Sequence, residues 1–315
     1  MEIRNVCLLG ATGFVGRALA ARLYDEGIEA RVITRRRMRA SRLLVLPTLD
    51  LRVADPHDEE ALTRHFAGMD AVVNLVGILH EGGGATFQAA HVDLPRKVAN
   101  ACRAAGVPHL VHMSALGASE SAPSEYLRSK ARGEASVRHG AGDALGVTIF
   151  RPSVIYGAHD RFLNLFARLV EAFPVIPLAA ADARFQPVWV EDVARALAHA
   201  VRHPAPGRVY ELCGPRAYTL EELVAFVAGV AGKRRAIVAL PAWAGKVQAS
   251  VFEHLPGKLI TRDNLRSMSV ANTCSGPFPE VFGFQPSSLE TVVPGYLAAG
   301  GVKGRYSAYR NRAGR

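Results

Sequence analysis

Three glycines at two-residue gaps, Gly10, Gly13 and Gly16, separate an apolar run from an amphipathic stretch. No other feature limits the fold as strongly. Ile3 to Leu9 reads as a buried strand; Phe14 to Glu26 carries Leu19 and Leu23 at helical spacing and stops at Gly27. Glycines at such a strand-to-helix turn let the backbone approach a pyrophosphate, which then sits on the helix N-terminus. The alternation continues. Ala30 to Thr34 and Leu51 to Ala54 are short strands, and Glu59 to Phe66 is a helix closed by Gly68. Asp70 to Gly77 is a strand ending in a turn, and a long helix from Phe87 to Ala105 stops at Gly106. A strand from Val107 to Ser114, a helix from Ser124 to His139 and a strand from Gly146 to Arg151 complete the series. This order predicts an α/β fold, a doubly wound parallel sheet with helices on both faces.

Beyond Pro152 the pattern loosens, and prolines at 174, 177, 187, 204, 206, 215 and 241 cut the chain into short pieces. Two helices stand out, Glu191 to His203 and one opened by a capping box at Thr219 and Glu222. Residues 1–156 are expected to form the nucleotide-binding domain, with 184–214 returning to it. Residues 157–183 and 215–300 form a smaller C-terminal cap that shapes a substrate or partner surface, and 301–315 a basic tail.

The glycine spacing is G-x-x-G-x-x-G, so Gly10, Thr12, Gly13, Phe14, Val15 and Gly16 are the expected phosphate-side contacts. An acid at the end of the second strand would suit NAD. Here Thr34 is followed by Arg35, Arg36 and Arg37. A guanidinium pairs with a 2′-phosphate, whereas a carboxylate repels it. Arg35 and Arg36 therefore favour NADP(H) over NAD(H); the plainer reading is a solvated basic loop, since Arg39 and Arg42 extend the run. Asp55 ends the third strand where an adenine amine would lie, or is an acid opening the next helix. Asn74, Val76 and Gly77 border the ribose; Asn74 reads equally as a buried strand-end amide.

Tyr126 and Lys130 lie one helical turn apart. An ammonium beside a phenol favours the phenolate, so the pair predicts a lowered Tyr126 pKa and an acid/base role near neutral pH.

The glycine turn, Asp55, residues 74–77, Tyr126 with Lys130, and Arg151 to Gly157 occur in an order that resembles the short-chain dehydrogenase/reductase superfamily, in its extended and atypical branch. Residues 112–117, 124–130, 151–164, 186–193 and 210–215 are similar to the nucleotide-binding accessory subunits of respiratory complex I and their bacterial relatives. The resemblance covers residues 3 to 230 well. It implies a Rossmann-type sheet with a small cap and an NADP(H) ligand that is either catalytic or structural. Lys130 would reach the nicotinamide ribose, with Pro152 and Ser153 lining the nicotinamide pocket. The implied chemistry is an oxidoreductase linked to quinone or respiratory metabolism. The alternatives are a nucleotide-sugar epimerase, dehydratase or reductase, and a non-catalytic NADPH-binding accessory or sensor module. One departure matters. Active extended members place a Ser or Thr just past the fifth strand, where this chain has Ala115, with Ser114 one position early. One residue reverses the facing on a strand.

Composition limits the remaining classes. With 49% hydrophobic and 21% charged residues the chain can bury a core. Lys and Arg exceed Asp and Glu by 38 to 28, which favours anionic partners without selecting one. Cys7, Cys102, Cys213 and Cys274 are far apart, which argues against a disulfide framework and a Cys-rich zinc site. His109 and His112, three apart on a strand, face opposite sides, so no metal site is expected. No run approaches a membrane span and no leader is evident, so the expected location is cytoplasmic, with peripheral attachment to the inner face of a membrane left open. Lys303, Arg305, Arg310, Arg312 and Arg315 could touch anionic lipid. No nucleic-acid partner is expected.

Overall fold

Val6 to Leu9 are completely buried, so the first strand is covered on both faces, as parallel sheets require. The computed structural model describes residues 3–254 and 260–298; residues 301–315, expected to form a basic tail, lie outside them. In chain order, β1 (Asn5–Leu9), α1 (Phe14–Asp25), β2 (Glu29–Thr34), β3 (Leu49–Val53), α2 (Glu59–Phe66) and β4 (Ala71–Asn74) form the first half-sheet and its helices. A π-helical turn over Gln88–Asp93 leads into α3 (Leu94–Ala104), followed by β5 (His109–Met113), α4 (Glu125–Ala141) and β6 (Gly146–Pro152). Then come β7 (Ile155–Tyr156), α5 (Leu163–Ala172), β8 (Val175–Leu178), β9 (Arg184–Phe185) and β10 (Val188–Trp189). After these lie α6 (Val190–Arg202), β11 (Val209–Leu212), β12 (Tyr218–Thr219), α7 (Leu220–Val230), β13 (Ala236–Ala239) and α8 (Ala242–His254).

Seven strands pair in parallel in the order β11-β6-β5-β4-β1-β2-β3. The order reverses between β1 and β4, and open sheets of this kind take ligands at the carboxyl ends of the strands beside that point. Leu75 N–H donates to Leu9 O (2.9 Å), so the segment after β4 lies against the start of the glycine turn. Leu9, Phe66, Val72, Leu94 and Leu110 belong to one buried cluster, which anchors the sheet beneath α2 and α3. The expected single helix over 87–105 instead begins with a π turn. An extra residue in a turn leaves no mark in an apolar spacing pattern.

The chain divides into two compact units. One comprises Met1–Pro152, Val190–Leu212 and Pro279–Phe284, and carries the seven-stranded sheet. The other comprises Ser153–Trp189, Cys213–Phe278 and the residues from Gln285 onward. Its own core includes Tyr156, Leu163, Val170, Ile176, Leu223 and Val227. The capping box at Thr219 and Glu222 opens α7 as the sequence predicts.

One expectation is overturned in the second unit. Cys213 and Cys274 are joined in a disulfide across 61 residues of sequence. A strap after residue 270 returns beside β9. Asn272 N–H donates to Arg184 O (2.9 Å), and Gln186 accepts from Cys274 N–H (3.0 Å) while donating to Gly214 O (2.7 Å). Gln186 thus holds the backbone next to both cysteines. Sequence spacing cannot reveal a pairing made by a strap of this kind. Cys7 and Cys102 are free and buried, and burial pushes the Cys7 thiol up to about 12.

Candidate functional site

At Gly10 the backbone has φ +83°, and a Cβ there would sit 2.9 Å from the carbonyl carbon of Leu75. A Cβ on Gly16 would lie 2.4 Å from Ala11 Cα. Both contacts are with backbone that cannot move aside, so a side chain at either position disrupts the turn. Gly13 N–H donates to Gly10 O (2.9 Å) and closes it. Gly13 is also the N-cap of α1, with no side-chain cap and no acid in the first turn. The first N–H groups of α1 are therefore not capped by a side chain, and the positive dipole end is not neutralised. Thr12, Phe14 and Val15 are half-buried on this turn.

Arg35 and Arg36 follow β2 and are exposed, and the Thr34 hydroxyl oxygen accepts from Arg36 N–H (3.3 Å). The sequence reading missed Arg17, one turn into α1, whose Nη1 donates to Thr12 O (3.3 Å). Burial and the nearby Arg42 guanidinium hold Arg17 below the usual arginine range. The signal was its position directly after Gly16. Asp55 is exposed and its Oδ1 accepts from His57 N–H (3.0 Å), the local turn role considered from sequence.

Asn74 is fully buried. Its Oδ1 accepts from Val76 N–H (3.1 Å), and its Nδ2 lies 3.3 Å from His112 Nδ1. Burial holds the His112 pKa down to about 3, so the ring is neutral. Asn74 thereby fixes the bend that carries Val76 and Gly77. Gly77 is exposed, and a Cβ built on it would meet Lys130 Nζ at 3.2 Å and His91 Nε2 at 3.5 Å.

Ser124 caps α4 by accepting from Leu127 N–H (3.3 Å), which sets the rotation of Tyr126 and Lys130. Lys130 is buried, and its ammonium donates to Met113 O (3.1 Å). Burial lowers its pKa to about 8, against the opposing pull of Glu134 one turn on. Glu134 is itself buried in a bidentate pair with Arg151, at 2.7 and 2.8 Å. The expected lowering of the Tyr126 pKa is not found: burial pushes the phenol up to about 12. The desolvation of the ring outweighs the lysine one turn away.

His91 was also missed. It sits in the π turn, where its Nε2 accepts from Ile78 N–H (3.0 Å) and its Nδ1 lies 2.8 Å from Ser129 Oγ. Ser129 Oγ donates to Tyr126 O (2.7 Å), so the imidazole must donate from Nδ1. Burial, then Lys130, hold the His91 pKa down to about 2. Phe87 and His91 stack, and both meet the Tyr126 ring edge-on. The loop after β4 and the first turn of α4 are thus tied through one neutral histidine.

Ser114 is buried, and its Oγ finds no hydrogen-bond partner among the described residues. Ala115 instead packs with Ala122, Leu127 and Tyr126. Pro152 is buried and accepts from Leu116 N–H (3.0 Å). Ser153 belongs to the second unit, where its hydroxyl donates to Asn272 Oδ1 (2.6 Å). Among the described residues no cluster of three or more His, Cys, Asp or Glu side chains could hold a metal. No helix among them is long and apolar enough to cross a membrane.

The glycine turn at the sheet's reversal point abuts Leu75 and Val76, and Gly77 lies beside the Lys130 ammonium of the tyrosine–lysine helix, an arrangement that defines a dinucleotide-fold protein. Residues 6–213 match the NAD dependent epimerase/dehydratase family, and the chain belongs to it. It is similar to the mitochondrial NADH dehydrogenase [ubiquinone] 1 alpha subcomplex subunit 9 of Rattus norvegicus, 31% identical over 304 residues, covering 90% of this chain and 77% of that one. It is also similar to the ceramide reductase of Caulobacter vibrioides, 34% identical over 244 residues, covering 75% of this chain and 73% of the other. Among solved structures, the NADPH-dependent quinone oxidoreductase of Escherichia coli, complexed with NADPH, superimposes with a TM-score of 0.73 at 22% identity over 91% of this chain and 98% of that one, a likeness of fold.

Proposed function

We propose that the chain binds NADP(H) on the glycine turn and serves as an oxidoreductase toward a carbonyl or quinone on a lipid-like molecule. The observation that carries the cofactor reading is the N-terminus of α1 at Gly13, without a side-chain cap or a first-turn acid, together with the exposed Arg35 and Arg36 that follow β2 where an acid would suit NAD. Neither arginine has an ion-pair partner among the described residues' salt bridges. Cations without acidic partners and an uncapped helix N-terminus favour a ligand that brings added negative charge, which the 2′-phosphate of NADP(H) supplies. Arg35 and Arg36 stand ready at the end of β2.

The reduced nicotinamide supplies a hydride when bound. The residues of the chain manage the proton. Tyr126, protonated at neutral pH, gives its Oη proton to the substrate oxygen as that oxygen gains negative charge. The Lys130 ammonium would hold the ribose hydroxyls of a bound nucleotide and stabilises the resulting phenolate, which recovers a proton from water. His91 and Ser129 keep the helix turn in place through this exchange. The lipid-like substrate and a contact with a respiratory complex are inferred from the names of the relatives. Peripheral attachment to a membrane fits both.

A structural nucleotide is the second reading, favoured by Ala115 occupying the place of a substrate-binding hydroxyl. Both readings require the same cofactor preference. Arg35→Asp is expected to weaken NADPH binding about 10- to 100-fold, the loss of one charge-assisted contact and its replacement by repulsion, with little change for NADH. Calorimetric titration with each nucleotide checks this; equal losses for both would refute the assignment.

A further inference from the structure

We infer that the second unit carries a docking face for an anionic lipid bilayer, formed by the outer side of the β8–β13 pair and the outward stripe of α8. This inference does not depend on the cofactor reading. In the parallel register Val175 opposes Ala236 and Pro177 opposes Val238. All four are exposed, while Ile176 and Leu178 point into the unit's core, against which Ile237 packs. The outer side of this small sheet is therefore apolar, reversing the usual polar-out alternation. Phe173, just before β8, is 53% exposed.

The helix continues the surface. Gly245 lies on Ala179, Ala249 is buried, and Gln248 Nε2 donates to Pro177 O (3.0 Å), which fixes the packed side of α8 beside β8. Trp243 and Val247, one turn apart on the opposite side, are 72% and 58% exposed. Scattered exposed hydrophobics need no explanation, but an adjoining set this large does.

The charge around the set selects the occupant. Lys246 is exposed on α8 next to Val247, and Lys233 and Arg234 are exposed just before β13; Glu171 lies two residues before Phe173 in the chain. The apolar side chains offer no directional hydrogen bonds, and tryptophan with flanking lysine suits a headgroup boundary. A bilayer containing anionic lipid satisfies both features at once: shallow apolar insertion and attraction of the basic rim.

The test uses the intact protein with vesicles of phosphatidylcholine and phosphatidylglycerol. Trp189 packs against the second unit's core, so Trp243 is the reporting indole of the chain's two. Vesicles are expected to shift the emission to the blue, and brominated acyl chains to quench it, with Trp243→Phe removing the shift. Trp243→Ala with Val247→Glu is expected to weaken sedimentation with vesicles about 30-fold or more. NADPH affinity should stay unchanged, so failure here is distinct from failure of the cofactor reading. Several-fold weaker binding to pure phosphatidylcholine would support the basic rim. Absence of vesicle binding would overturn the proposal. So would sedimentation with vesicles that the double variant retains in full, parent binding without a blue shift, or binding that disappears on removal of residues 299–315.

Discussion

Tyr126→Phe is expected to keep NADPH bound while lowering its oxidation by a lipid-chain carbonyl or quinone acceptor about 10²- to 10⁴-fold, the range for loss of a positioned general acid. The phenyl ring preserves the edge-on contacts with Phe87 and His91 and the packing against Ala115, so α4 stays in place. Only the hydroxyl group is removed. Single-turnover absorbance of the nicotinamide separates binding from chemistry. A variant that oxidises NADPH as fast as the parent would show that Tyr126 is not the acid. The pKa directions suit reduction: a phenol held near 12 keeps its proton until charge develops on the substrate oxygen, and an ammonium with a pKa near 8 is still charged at pH 7.

Cys213→Ser is expected to cost about 4 kcal/mol under non-reducing conditions, because the bridge closes 61 residues of sequence in the unfolded chain. Denaturant unfolding of the parent with and without a dithiol reductant should reproduce that difference, and the variant should match the reduced parent. Thiol titration of the unfolded, unreduced chain should count the two thiols of Cys7 and Cys102. Four reactive thiols would contradict the pairing.

Much of the sheet was legible from sequence because each parallel strand is an apolar run punctuated by a glycine or a cap. α2 runs over Glu59–Phe66 as read, and α4 begins at Glu125, behind the Ser124 cap. The glycine turn was legible for the same reason: its residues are adjacent in sequence and its geometry is local. What escaped was non-local or electrostatic. Cys213 meets Cys274 only because the strap beside β9 returns. His91 looked like a polar residue in an ordinary helix, and only the π turn aims it at Ser129. Tyr126 and Lys130 were placed on one face by spacing, but spacing carries no information about burial, which reversed the expected direction of the tyrosine's pKa.

The most direct test of the account is a titration with NADPH, following nicotinamide fluorescence between about pH 7 and about pH 9. Burial sets the folded Lys130 below the ordinary lysine value, so its ammonium is present below about 8 and is lost as the pH rises past it. Enhanced fluorescence is expected on binding at pH 7, and affinity that weakens several-fold toward pH 9 as the ammonium contact with the ribose is lost. Fluorescence that NADPH does not enhance at any pH, or an affinity that is flat across this window, would contradict it.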